Sequence, residues 1–131
     1  MKTSSYEAYL LSIFKKEKVE IEREKTFRDL RHNKTYYRFD FYLPKQNILI
    51  EMDGSQHWRP VYGRQTLLRQ QENDRLKNSY CLAHKIPLYR IPYWELDNIH
   101  TLKDIIQEKF LVRSKWHNDN LAQKLKQGGK W

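Results

Sequence analysis

Cys81 is the only cysteine in this 131-residue chain. That excludes a disulfide framework or a cysteine-built zinc site within one chain, and it suits a reducing compartment. No apolar run approaches the roughly 20 residues that a membrane-spanning helix needs. The opening Met1-Lys2-Thr3-Ser4-Ser5-Tyr6-Glu7 lacks the apolar centre of a signal peptide. The expectation is a cytoplasmic protein, in a bacterial host if phage-encoded, that is neither secreted nor membrane-bound. Internal repeats are absent, and His84, His100, His117 and Cys81 fall at no metal-ligand spacing. Acids are the scarcer charge: 16 Asp and Glu against 25 Lys and Arg, a formal net charge of +9. Such an excess favours a polyanionic partner, through phosphate contacts and counterion release. General solubility, or a ribosomal or membrane-surface role, accounts for the charge as well.

Against this basic background, acids gather in one place. The stretch Arg38 to Trp58 reads RFDFYLPKQNILIEMDGSQHW. Tyr37, Phe39, Phe41 and Leu43 alternate with Arg38, Asp40 and Tyr42, and Ile48, Ile50 and Met52 alternate with Leu49, Glu51 and Asp53. Period-two alternation of aromatic and β-branched residues predicts two strands, and Pro44-Lys45-Gln46-Asn47 supplies turn residues between them. A hairpin symmetric about Lys45-Gln46 sets Asp40 directly opposite Glu51, with Cβ atoms about 5 Å apart. Like charges there are unfavourable unless a cation lies between them. A hard divalent ion, Mg²⁺ or Mn²⁺, resolves the conflict. Asp53 shares the face of Glu51.

The rest of the chain predicts a helix over residues 4 to 17, from the stripe Tyr6, Leu10, Ile13 and Phe14. A strand follows near 18–23, then a basic loop from Arg28 to Thr35, then the hairpin. Gly54 to Gln65 reads as irregular. Thr66 to Lys85, free of Pro and Gly, predicts a helix; Ile86 to Ile91 a strand; and Thr101 to Val112 a final helix. The order αβββαβα implies an α/β (α+β) domain, a mixed sheet flanked by helices, over residues 1–112. Residues 113–131 form a basic tail.

Asp40 followed by Glu51-x-Asp53 resembles the PD-(D/E)XK nuclease pattern, with Asp53 where a lysine usually stands. Asp53-Gly54-x-Gln56-His57 is similar to the branch of very-short-patch repair endonucleases and small phage and bacterial homing endonucleases. Ser4-Ser5-Tyr6-Glu7, Glu24-Lys25-Thr26-Phe27, Asn73 to Cys81 and Leu88 to Tyr93 resemble that branch's first-helix glutamate, lead-in strand, later helix and later strand. The resemblance covers roughly residues 4 to 110. It implies a restriction-endonuclease-like core and metal-dependent hydrolysis of DNA, double-stranded more readily than single, by a homing or nicking enzyme that acts alone or as a homodimer.

The candidate catalytic residues are Asp40, Glu51, Asp53, His57, Glu7 and Gln56. Asp40 and Glu51, with the backbone carbonyl of Met52, would hold the metal. Asp53 or His57 would accept a proton from the attacking water, or His57 would protonate the leaving 3′ oxygen. Gln56 would order water or a phosphate oxygen. Each has a plainer reading. Ser4-x-x-Glu7 is a capping box. Asp40 is a surface charge, Asp53-Gly54 a turn, and His57 a loop histidine. Asp74 and Lys77, one helical turn apart, are a solvated ion pair, or Lys77 supplies the missing lysine. Arg28, Arg31, Lys34, Arg38, Arg59, Arg64, Arg69 and Lys77 are the candidate nucleic-acid contacts. Two other classes compete: a non-catalytic DNA-binding protein on a nuclease-like fold, and a protein-interaction module.

Overall fold

The computed structural model describes residues 4–54 and 60–116. They form helix α1 (Ser5–Lys16), strands β1 (Glu22–His32), β2 (Thr35–Leu43) and β3 (Ile48–Asp53), helix α2 (Arg64–Ala83), strand β4 (Leu88–Pro92) and a short helix α3 (Leu102–Ile105). The sheet order is β1-β2-β3-β4. The first three strands are antiparallel, while β3 and β4 are parallel. A parallel pair needs a crossover, which α2 spans. The domain is therefore mixed α/β, with a four-stranded mixed sheet and flanking helices. Among the described residues no helix is long and apolar enough to cross a membrane.

Each face of the sheet carries its own core. On one, Leu10, Ile13 and Phe14 of α1 pack against Phe41, Leu43, Ile48, Ile50, Met52 and Ile91. Fully burying each such side chain stabilises by about 1.5–3 kcal/mol. On the other, Phe39, Leu49 and Leu88 meet Leu30, Cys81 and Val112. All six residues of β3 are buried, as befits a central strand covered on both sides.

The β2–β3 register is the one the hairpin symmetry predicts: Phe41 pairs with Ile50, Tyr42 with Leu49 and Leu43 with Ile48. Asn47 closes the connection in the left-handed region, at φ 55°. Asparagine tolerates that conformation, and its Oδ1 accepts from the Tyr42 hydroxyl at 2.8 Å. Pro44 to Asn47 form the turn, the four residues expected between the strands.

Three expectations are corrected. The strand placed near 18–23 begins only at Glu22 and runs on through the expected basic loop to His32 as β1; only Asn33 and Lys34 form the turn into β2. Pairing with β2 overrides the polar local sequence. The final helix over 101–112 stops at Ile105. Leu111 instead bridges Tyr89, and the Val112 N–H donates to the Leu88 carbonyl at 2.9 Å, so the chain extends along β4. Finally, Phe39 and Phe41 do not share a face, since each packs into a different core. The change of face falls at Asp40. On the neighbouring strand Glu24, flanked by the pairs Arg23–Phe41 and Lys25–Phe39, has φ 52°. A left-handed non-glycine residue costs about 1–2 kcal/mol, and here it accompanies the same change of side on β1. Arg23 lies over Phe41, whereas Lys25 lies over Phe27 and Tyr42.

Candidate active site

Past the Phe41–Ile50 pair, side chains replace the backbone ladder between β2 and β3. The Asp40 N–H donates to Glu51 Oε1 at 3.0 Å, and the Met52 N–H donates to Asp40 Oδ2 at 2.7 Å. Each carboxylate thus satisfies a main-chain donor of the opposite strand and is fixed in orientation by it. Glu51 is buried. Burial pushes the Asp40 carboxyl well above its ordinary value, and the charge of Glu51 raises it further; the Met52 N–H and Lys77 pull the other way. A cation near Asp40 would be favoured by the same arrangement.

Helix α2 delivers that cation. Lys77 Nζ lies 3.4 Å from both oxygens of Glu51 and 5.4 Å from the centre of the Phe39 ring. The buried face of α2 is Asp74, Lys77, Asn78 and Cys81. That spacing of three and four residues is helical, yet most of the stripe is polar. The expectation that Asp74 and Lys77 form a solvated ion pair is corrected. Both are buried; Lys77 turns to Glu51 and Asp74 to Arg90.

Arg90 of β4 organises the remaining acids. It is wholly buried. Its Nη1 lies 2.9 Å from Asp53 Oδ1 and 4.0 Å from Glu51 Oε2; its Nη2 is 3.5 Å from Asp74 Oδ1; its Nε donates to Asn78 Oδ1 at 2.8 Å. Burial opposes the charge, but Asp53, Asp74 and Glu51 outweigh it and hold the guanidinium more firmly protonated than usual. Asp53 is completely buried in this pairing and is not among the residues lining the cleft described next. Its carboxylate, expected to accept the water's proton, is engaged by Arg90.

The carboxylates open into a cleft of about 900 Å³, lined by Glu7, Glu24, Lys34, Thr35, Tyr36, Arg38, Asp40, Glu51, Met52, Gln70, Asn73 and Lys77 among others. Glu7 sits at the start of α1, beside the cleft. Its N–H is capped by Ser4 Oγ at 3.1 Å, while its carboxylate pairs with Arg23 at 3.0 Å and borders the cleft. Of the candidate phosphate contacts, Lys34, Arg38 and Lys77 line the cleft, Arg28 and Arg31 are exposed on β1, and Arg64 and Arg69 are exposed on α2. Gln56, His57 and Arg59 lie outside the described residues.

The donor set suits Mg²⁺ or Mn²⁺. Among the described residues no group of three or more His, Cys, Asp and Glu is gathered as a metal cage. Mg²⁺ is ordinarily held by one or two carboxylates, with waters and substrate phosphates completing its shell. Asp40 and Glu51 provide two. The Met52 N–H faces β2, and in an extended strand the carbonyl of the same residue faces the same edge, so the Met52 carbonyl is a third hard donor on that side.

Sequence reasoning did not single out Arg90, Asn78, Gln70 or Asn73. Arg90 alone carried a signal, an arginine between the apolar neighbours Leu88 and Ile91 on a strand expected to be buried. Asn78, Gln70 and Asn73 carried none, because hydrophobic periodicity cannot show a buried or cleft-facing polar side of a helix.

No family model and no solved structure matches the chain. An uncharacterized protein of Haemophilus influenzae is 47% identical over 36 residues. The match spans 28% of this chain and 30% of that protein.

Proposed function

We propose that this protein is a metal-dependent DNA endonuclease whose core is of the PD-(D/E)XK kind, with Lys77 supplied by α2 in place of the strand lysine. One observation carries the reading. Two carboxylates from adjacent strands and an ammonium from a helix converge at the floor of a cleft with cationic residues at its edge. An acid pair of this kind is costly to maintain in a fold and occurs where charge is used.

Asp40 and Glu51, with the Met52 carbonyl, would hold the metal. When bound, Mg²⁺ supplies a Lewis acid for the scissile phosphate and lowers the pKa of a coordinated water. Lys77 Nζ, beside Glu51, hydrogen-bonds the attacking water or a phosphate oxygen and helps to move the water's proton. Arg90, itself paired with Asp53, lies 4.0 Å from Glu51 Oε2 and helps to hold it in place. Lys34 and Arg38 neutralise neighbouring phosphates at the edge.

Supercoiled plasmid incubated with Mg²⁺, Mn²⁺ or EDTA, beside an Asp40→Asn control, tests the reading. Metal-dependent nicking or linearisation that disappears in the variant is the expected result. Cleavage by Asp40→Asn at the wild-type rate would sink the site assignment. Salt-sensitive DNA binding without cleavage under any condition would favour the binding-only class.

A further inference from the structure

β1 and β2 outrun the sheet. β3 pairs with β2 only from Phe41 to Leu43, whereas β1 pairs with β2 to Thr26–Arg38 and, past an irregularity between Thr26 and Arg31, again at Arg31–Tyr36 and His32–Thr35. From Phe39 to its tip the two-stranded ribbon extends roughly 16 Å, at about 3.3 Å per residue. It is fastened at its base. The Phe27 ring lies 5.8 Å from Phe39 and 5.2 Å from Tyr80, Leu30 is buried, and the Tyr80 hydroxyl donates to Asp29 Oδ1 at 2.7 Å. Asp29, the one acid between Phe27 and Arg38, is thereby committed to the scaffold. Arg28, Arg31, His32, Lys34 and Arg38 remain exposed. The Arg31 guanidinium sits 5.7 Å from the centre of the Tyr36 ring, which limits its freedom.

We propose that this ribbon is a major-groove reading element for double-stranded DNA, with Arg31 and Lys34 at the base edges and Arg28 and Arg38 on phosphates. The proposal rests on the DNA-cleaving reading and adds how the substrate is seated. The B-form major groove, about 12 Å wide and 8.5 Å deep, admits a two-stranded ribbon. A-form RNA presents a major groove too deep and narrow for side chains to read. Lys34, Thr35, Tyr36 and Arg38 line the same cleft as Asp40 and Glu51, so a duplex gripped by the ribbon presents its backbone to the carboxylates.

Fluorescence anisotropy in EDTA, with the full chain, separates binding from cleavage. Three probes share one sequence: plain duplex DNA, duplex DNA whose major groove is filled with glucosylated 5-hydroxymethylcytosine, and duplex RNA. Wild type should bind the plain duplex at least about tenfold more tightly than the other two. Arg31→Ala/Lys34→Ala should abolish that preference, because it removes the contacts to base edges. Lys15→Ala/Lys16→Ala, in the last turn of α1, should change binding less than about twofold. Equal binding to the filled groove or to RNA overturns the proposal, as does an equal loss in both double variants. A protein that cuts plasmid in an Asp40-dependent way yet ignores the filled groove keeps the nuclease reading and loses the ribbon. Failure to bind any duplex overturns both.

Discussion

Lys77 Nζ stands 3.4 Å from each oxygen of Glu51, joining the middle of a helix to a central strand. A group so placed acts on whatever Glu51 binds. Lys77→Met preserves the stem that packs beside Phe39 but deletes the charge. We expect cleavage to fall about 10²- to 10⁴-fold, the range typical of a lost proton-transfer group. Single-turnover cleavage, on protein shown to be folded by circular dichroism, measures this. A loss under threefold would remove Lys77 from the chemistry.

Asp40 gives a pH signature without any substrate. Its carboxyl titrates well above 3.8 in the fold, chiefly through burial and then through Glu51. Between the unfolded and folded values the native state binds more protons, so stability falls as pH rises through that window. Asp40→Asn removes this fall. In metal-free buffer the variant should gain Tm relative to wild type as the pH climbs past 3.8. Added Mg²⁺ should then raise the Tm of wild type and leave the variant unmoved. Parallel melting curves across the range would contradict the assignment.

Arg90 holds Asp53, Asp74 and Asn78 through different nitrogens of one planar fork. Lysine offers a single point of charge and cannot reproduce that geometry. Arg90→Leu should destabilise the fold by about 3–5 kcal/mol, the usual cost of leaving a buried partner uncompensated. Arg90→Lys should recover only part of the loss. Urea unfolding of the three proteins decides the matter. Wild-type stability in Arg90→Lys would show that charge alone suffices.

Cys81 is buried between α2 and the sheet, and burial pushes its thiol up to about 12. It should resist a thiol-specific disulfide reagent at pH 8 in the native state and react at once in denaturant. The labelling rate therefore reports the opening of α2. Rapid labelling of the folded protein would contradict the packing described for this helix.

The hairpin was readable from sequence because three signals agreed: alternation, turn residues from Pro44 to Asn47, and a register symmetric about Lys45-Gln46. Asp40 and Glu51 followed from that register alone. The reach of β1 was not readable. Its outer half is Arg-Asp-Leu-Arg-His, and only pairing with Thr35 and Tyr36 makes it a strand. The Arg90 network was hidden for a related reason. Asp74 and Asn78 each look like surface residues one at a time, and only the β3–α2–β4 crossover brings them to Arg90 and Asp53 as a buried set. The shortened last helix reflects competition: Val112 is buried where its N–H meets the Leu88 carbonyl of β4, a contact that a continued helix would forgo.

Strand β2 lends Phe39 to one core and Phe41 and Leu43 to the other. Loss of either core therefore slackens a strand that the other also uses, which couples the unfolding of the two. Two hydrophobic layers, each small enough to suggest an independently unfolding unit, are bound into one cooperative whole. The carboxylates at the crossing point are held by the combined rigidity of both.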